Sequence, residues 1–193
     1  MADADATPHA GGVPDTGGVP DTGGVPDTGG RVALLAHPAG HSVSPAMQRA
    51  AIDARGLRAT YDAFDVPPAE LAAAVASLRR DPWWGANVTV PHKTAVVPWM
   101  DELSRAARRL GAVNTIVRRG GRLIGDNTDL PGFARALAPL GVDLAHARVV
   151  VIGAGGAARA VVAALPTPGP GSRCTTAARI VRGRWWARWR CRT

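Results

Sequence analysis

The sequence predicts an α/β fold: a mostly parallel sheet flanked by helices, with the start of a second α/β unit behind it. Three observations predict it. Short apolar runs that read as strands alternate with helical segments from Arg31 to Leu165, and such alternation builds parallel sheets covered on both faces. Glycine and proline punctuate the junctions. Polar clusters stand at the ends of the apolar runs, where open α/β sheets collect their ligands.

The elements follow in order. RVALLAH, from Arg31, reads as a buried strand stopped by Pro38 and Gly40. SPAMQRAAIDARG reads as a helix, with Ser44 as N-cap and Pro45 at the first helical position. TYDAFDV alternates as a strand does. PPAELAAAVASLRR is alanine-rich and opened by proline, so a helix. GANVTV is the next strand. DELSRAARRLG predicts a helix that starts on Asp101 and Glu102, carries its arginines last and stops at glycine. AVNTIVRRGGRLIGDNTD predicts a hairpin turning at Gly120-Gly121. LPGFARALAPLG predicts a helix, ARVVVIG a buried strand, and GGAARAVVAAL the helix after it.

Four segments result. Residues 1–30 form a leader in which GGVPDT repeats three times from Gly11 to Thr28. One valine per repeat cannot offset the ordering entropy, so disorder is expected there. Residues 31–146 are the first α/β unit, residues 147–165 the strand, turn and helix that open the second, and residues 166–193 a basic tail.

The formal net charge is +8, which raises the question of a nucleic-acid partner. The tail alone carries seven arginines and no acid, and without it 16 basic residues face 15 acidic ones. The basicity belongs to the tail, so no nucleic-acid partner is expected for the body. Both cysteines, Cys174 and Cys191, also lie in the tail, and neither metal-ligand spacing nor a disulfide framework is indicated. MADADATPHAGG shows no cationic start and no apolar run, so no secretion signal is read. VVVIGAGGAARAVVAAL is broken by glycines and Arg159, so no membrane span is expected. A cytoplasmic location is the expectation.

GAGGAA, Gly153 to Ala158, has G-x-G-x-x-A spacing between an apolar strand and an apolar helix. In that setting Gly153 permits the tight turn, Gly155 lets the backbone approach a pyrophosphate, and Ala158 lets the helix pack close. The helix start offers free N–H groups to the anion. The competing reading is a plain strand–helix turn. Residues that read the ribose belong ~20 positions later, where no clean acid stands. Arg173, Arg179 and Arg182 are the candidates there for a 2′-phosphate.

HSVSP (His41 to Pro45), NVTVPHK (Asn87 to Lys93), GAVNT (Gly111 to Thr115) and GDNTD (Gly125 to Asp129) supply hydroxyls and amides suited to a polyhydroxylated or carboxylate ligand. Lys93 and Asp129 are the groups among them able to transfer or orient a proton. With GAGGAAR, these clusters make five motifs, and in order and spacing the chain from residue 31 to about 165 resembles the shikimate dehydrogenase family. The resemblance implies an NADP-dependent enzyme interconverting shikimate and 3-dehydroshikimate, for the aromatic amino acid (chorismate) pathway. Its substrate domain would face a Rossmann-like NADP-binding domain across a cleft.

Carried over residue by residue, the resemblance assigns Ser42 and Ser44 to the substrate carboxylate, and Thr89, Asn114 and Asp129 to ring hydroxyls. Lys93 becomes the proton-transferring residue paired with Asp129, and both are the expected catalytic residues. Gly153, Ala154, Gly155, Gly156 and Ala157 become the cofactor-binding turn, with no metal. Asn87 is expected to hold its turn rather than touch ligand. A lysine base implies that alcohol oxidation speeds up as pH rises.

Other residues have plainer readings. His37 and His41 are spaced like metal ligands, but Pro38 and Gly40 preclude the helix that would align them. His92 is expected to serve its turn, His9 and His146 to be solvated, and Trp83, Trp84 and Trp99 to cover core edges. The chain departs from the family pattern at His37, Gln48 and Arg49. Beyond Leu165 the resemblance stops, and the tail reads as a shifted frame or misplaced gene end. Such an end would leave the nucleotide unit short of sheet and its turnover in question. Three further functions stay open: a quinate/shikimate dehydrogenase using NAD, a non-catalytic shikimate-binding chain, and single-strand binding through RGRWWARWRCR.

Overall fold

The structure, a computed structural model, describes residues 29–144, 147 and 149–165, and the backbone of residues 176 and 177. Residues 1–28 of the expected disordered leader, nearly all of the basic tail, both cysteines, and His9 and His146 lie outside the described residues, while Gly30, assigned to the leader, is the first residue of a strand.

The first unit is built from β1 (Gly30–Ala36), α1 (Ser44–Ala54), β2 (Ala59–Asp65), α2 (Leu71–Ser77), β3 (Trp83–Val88), β4 (Glu102–Leu103), α3 (Arg105–Leu110), β5 (Thr115–Arg119), β6 (Arg122–Asp126) and α4 (Asp129–Leu137). Its six strands form one sheet in the order β2-β1-β3-β5-β6-β4. β1 runs parallel to both β2 and β3, and β4 runs parallel to β6. The β5–β6 hairpin enters antiparallel to β3, so the sheet is mixed on that side. Gly120 (φ 55) and Gly121 (φ 77) make the hairpin turn, which needs positive φ at both central positions.

The period-two alternation of β1 divides the core between the two faces of the sheet. Ala33 and Leu35 pack with Leu71, Val75, Leu78, Val88, Val96, Ile116 and Leu123 on one face. Leu34 and Ala36 pack with Ala39 and Tyr61 on the other. Trp83 borders the first cluster, its ring edge-on to Phe64 at 5.7 Å and under the Arg31 guanidinium at 4.6 Å. Pairing of β3 with β5 demands a glycine at position 85. A Cβ there would lie 2.0 Å from the Ile116 carbonyl oxygen.

The second unit shows β7 (Val151–Ile152), α5 (Gly156–Ala164) and β8 (Thr176–Ala177), with β7 and β8 parallel. Ala160 of α5 packs with Leu110, Ala112 and Leu130, which seats the helix against α3 and α4.

Three expectations are corrected. Asp101 and Glu102 do not start a helix: Glu102 and Leu103 form edge strand β4 beside β6, and Ser104 caps α3, its Oγ accepting from Ala107 N at 3.1 Å. Ser44 is the first residue of α1 and not its N-cap; Val43 stands at that position without a side-chain cap bond. The apolar run at ARVVVIG is not a buried strand. β7 has two residues, and Val150 and Ile152 are 79% and 83% exposed.

Candidate functional site

The site forms where β1 and β3 end. Thr89 N donates to Leu35 O at 3.0 Å, so the chain stays in the sheet one residue beyond β3. It then turns back at Pro91, with His92 N donating to Thr89 O (2.8 Å) and Val96 N to His92 O (2.9 Å). The His92 ring is buried, its Nε2 2.7 Å from Val66 O. His92 therefore ties the turn to the segment after β2. Lys93 O accepts from Val113 N at 2.7 Å, which fastens the turn to GAVNT.

Lys93 Nζ donates to Asp129 Oδ2 at 2.7 Å, with the two side chains 14% and 26% exposed. Asp129 opens α4, where a carboxylate is favoured by the free N–H groups and the dipole. Its other oxygen, Oδ1, accepts from Asn114 Nδ2 at 2.9 Å. Asn114 Oδ1 accepts in turn from Thr128 N and Thr115 Oγ1, each at 2.9 Å. The amide is thus oriented by its neighbours, donor side toward Asp129.

Behind this face lies a buried support that sequence reasoning missed. Asn127 is 1% exposed; its Nδ2 donates to Ala112 O at 3.1 Å and its Oδ1 accepts from Asp129 N at 3.1 Å. Asp126 Oδ1 accepts from Asn127 N at 2.7 Å and from the Ser104 hydroxyl. The signal was the unassigned Asn inside GDNTD. Tyr61 is a second omission. Its hydroxyl donates to Asn87 Oδ1 at 2.9 Å, and burial pushes its pKa up to about 12. A third omitted signal is compositional: Lys93 is the only lysine of the chain, the other 22 basic side chains being arginine. Arginine does not give up its proton in proteins.

The structure joins Lys93, Asn114 and Asp129 directly. Thr89 sits at the head of the Lys93 turn. Ser42 stands in the segment between β1 and α1 and Ser44 at the first position of α1, and Ser42 Oγ accepts from Ser44 N at 3.2 Å. The start of that segment is fixed beside Thr89, since His37 N donates to Val90 O at 3.0 Å. Asn87 lies within β3 rather than in the turn after it. His37 Nδ1 is 2.7 Å from Asp65 Oδ1. Among the described residues no group of three or more His, Cys, Asp or Glu side chains is arranged to hold a metal ion. No helix among them is long and apolar enough to cross a membrane.

The glycine turn connects β7 to α5. Gly153 has φ 116, and nothing lies within 4 Å of where a Cβ would stand at Gly153 or Gly155. At Gly156 that position is filled by Lys93. The arginines considered for the ribose, Arg173, Arg179 and Arg182, lie outside the described residues.

Residues 34–116 match the model of the shikimate dehydrogenase substrate binding domain. The chain belongs to the shikimate dehydrogenase family. A relative from Symbiobacterium thermophilum, shikimate dehydrogenase (NADP(+)), is 55% identical over 130 residues, covering 67% of this chain and 44% of its own. The solved shikimate 5-dehydrogenase of Thermus thermophilus, in complex with NADP(H) and shikimate, has a TM-score of 0.65 and 45% identity, over 70% of this chain and 51% of that one. The shikimate 5-dehydrogenase of Listeria monocytogenes, in complex with shikimate and NAD, has a TM-score of 0.64 and 39% identity, over 74% and 50%. The chain spans about half the length of the curated relatives it matches.

Proposed function

We propose that the chain carries the substrate site of an NADP-dependent shikimate dehydrogenase of the cytoplasm, interconverting shikimate and 3-dehydroshikimate. The observation that carries this reading is the Lys93–Asp129 ion pair, 2.7 Å long, at the carboxyl ends of the strands. Forming a ketone from a secondary alcohol requires loss of the hydroxyl proton together with the carbon-bound hydride. In oxidation the uncharged amine form of Lys93 takes that proton and becomes the ammonium, and in reduction the ammonium returns the proton to the nascent alkoxide. Asp129 holds the ammonium in place and, with Asn114 and Thr89, meets the ring hydroxyls. Ser42 and Ser44 meet the carboxylate.

The turn Gly153 to Ala157 fits a dinucleotide. Space is open above Gly155, and α5 presents its N-terminal N–H groups there. When bound, NADP supplies the hydride acceptor for oxidation and the donor for reduction. The NADP(H) complex of the Thermus thermophilus relative supports NADP, and the NAD complex of the Listeria monocytogenes relative supports NAD as the alternative.

A second reading, a chain that binds shikimate without turning it over, is favoured by the exposed apolar side chains of Val149, Val150 and Ile152 at and just before β7. One experiment separates the two. Shikimate is titrated into the chain by calorimetry, and NADPH absorbance is followed with shikimate and NADP+ present. Binding with NADPH formation that Lys93→Met abolishes supports the dehydrogenase. Binding without NADPH formation supports the second reading, and absence of binding sinks both.

A further inference from the structure

We infer that Gly156 is a positioning residue: it lets the stem of Lys93 pack against the nucleotide turn, and so ties that turn to the Lys93–Asp129 pair. For its functional consequence the inference rests on the proposed role of Lys93; its geometry stands alone. A Cβ at Gly156 would lie 2.8 Å from Lys93 Cβ, 3.2 Å from Lys93 Cδ and 3.5 Å from Ala112 Cβ. At Gly155 the same position is open. Two adjacent glycines of one turn therefore serve different ends. Gly155 leaves room for a ligand, and Gly156 leaves room for the lysine.

Neither side of this contact can retreat cheaply. The near end of Lys93 is held by the bond from Val113 N to its carbonyl, 2.7 Å long. Ala112, the other neighbour of the site, is wholly buried. On the helix side, Arg159 Nη1 donates to Leu110 O (3.0 Å) and Gly111 O (3.3 Å), and Ala160 is locked among Leu110, Ala112 and Leu130. A methyl group at position 156 must shift the Lys93 stem or α5 by about 1 Å to reach ordinary contact distance. Asp129 stays where Asn114 and Asn127 hold it, so the ammonium is drawn off its partner. Misplacement on this scale costs up to ~10²-fold in a catalytic step. The coupling is reciprocal: whatever restrains the turn restrains Lys93, and the pair biases the turn equally.

Because Lys93 is the only lysine, isotope-labelled lysine gives a single side-chain signal set in the full chain. Wild-type protein should show nuclear Overhauser contacts from the Gly156 α protons to the Lys93 β and δ protons. In Gly156→Ala the Lys93 ε-methylene resonance should leave its wild-type position and move toward that of Asp129→Asn, while shikimate affinity falls about tenfold. Gly155→Ala should leave the Lys93 resonance in place. A purely structural loosening of α5 would lower the unfolding midpoint without moving that resonance toward the Asp129→Asn position. Absence of the contacts in folded wild type overturns the inference, as does an unmoved resonance in folded Gly156→Ala. If Gly156→Ala does not fold, the wild-type contacts decide. If the chain binds no shikimate, the proposed function fails while both magnetic-resonance readouts still judge the inference.

Discussion

The Tyr61 hydroxyl donates to Asn87 Oδ1 at 2.9 Å, a bond that reaches from β2 to β3 across the intervening β1. The direction of donation continues toward the site. Asn87 Nδ2 faces Asn114 O at 3.4 Å and Thr115 Oγ1 at 3.5 Å, both long contacts, and Thr115 Oγ1 donates to Asn114 Oδ1 at 2.9 Å. Asn114 Nδ2 then donates to Asp129. Tyr61→Phe removes the first donor and leaves Asn87 Oδ1 unpaired in a half-buried place. The expected cost is about 1–3 kcal/mol, read as a lower urea midpoint at unchanged slope.

The same tyrosine gives an alkaline signature. Burial raises its pKa in the folded chain from 10.0 to about 12, so the neutral phenol is favoured by folding. Its stabilising contribution is complete below pH 10.0 and is lost as pH rises through about 12. Tyr61 is the only tyrosine, so tyrosinate absorbance reports it alone. Titration of the folded chain with a midpoint at the ordinary value would contradict the burial argument. Tyr61→Phe should lose less stability than wild type across that window.

Lys93→Arg separates charge from proton transfer. The guanidinium keeps a positive partner for Asp129 but stays protonated. Shikimate binding should survive within several-fold, while turnover, where wild type shows any, falls by about 10² or more. Calorimetry and NADPH formation measured on the same samples check it. Turnover kept at the wild-type level would mean the lysine acts by charge alone, and equal loss of binding and turnover that it acts by shape.

Gly85→Ala tests the junction that joins the β5–β6 hairpin to the parallel strands. With Ile116 O 2.0 Å from the new methyl position, β3 and β5 must part, and with them the Asn87–Thr115 register. Destabilisation beyond about 3 kcal/mol is expected, at the severe end for a single substitution. Urea unfolding reads it directly.

Much of this was legible in the sequence, for identifiable reasons. A short apolar run exposed β1, period-two alternation exposed β2 and paired glycines exposed the hairpin; a lysine and an aspartate closing two separate polar motifs stood out as the proton-handling groups, and the family resemblance implied that they pair. What escaped depends on partners distant along the chain. Acids before a helix look like a helix start, yet Asp101 is claimed by Arg79, and Glu102 pairs with the hairpin. VVVIG looks buried because it is apolar, but burial needs neighbours, and among the described residues β7 is paired with two residues of β8. Alternation says that Tyr61 points inward but not which amide its hydroxyl meets. A glycine-rich turn announces a ligand, and nothing in the pattern says that Gly156 is occupied by the chain's own lysine.

Asp101 makes the last case, on the edge where the helix was expected. Its Oδ2 pairs with Arg79 Nη1 at 2.5 Å and accepts from Leu123 N at 2.7 Å. Arg79 also donates to Trp99 O and Gly121 O, so one guanidinium gathers the β4 edge and the hairpin turn. The hydrogen bond from Arg79, then that from Leu123, holds the Asp101 carboxyl below its ordinary value of 3.8. A depressed carboxyl stabilises the fold above that ordinary value and loses its contribution as pH falls through the lower, folded one. Asp101→Asn retains an acceptor for Leu123 N but loses the charge. It should therefore lower stability at neutral pH by a small amount and shrink the gap to wild type as the solution is acidified below 3.8. Urea midpoints for both chains from neutral to acid pH check this. A gap that stays constant across that range would assign Asp101 a role of shape rather than of charge.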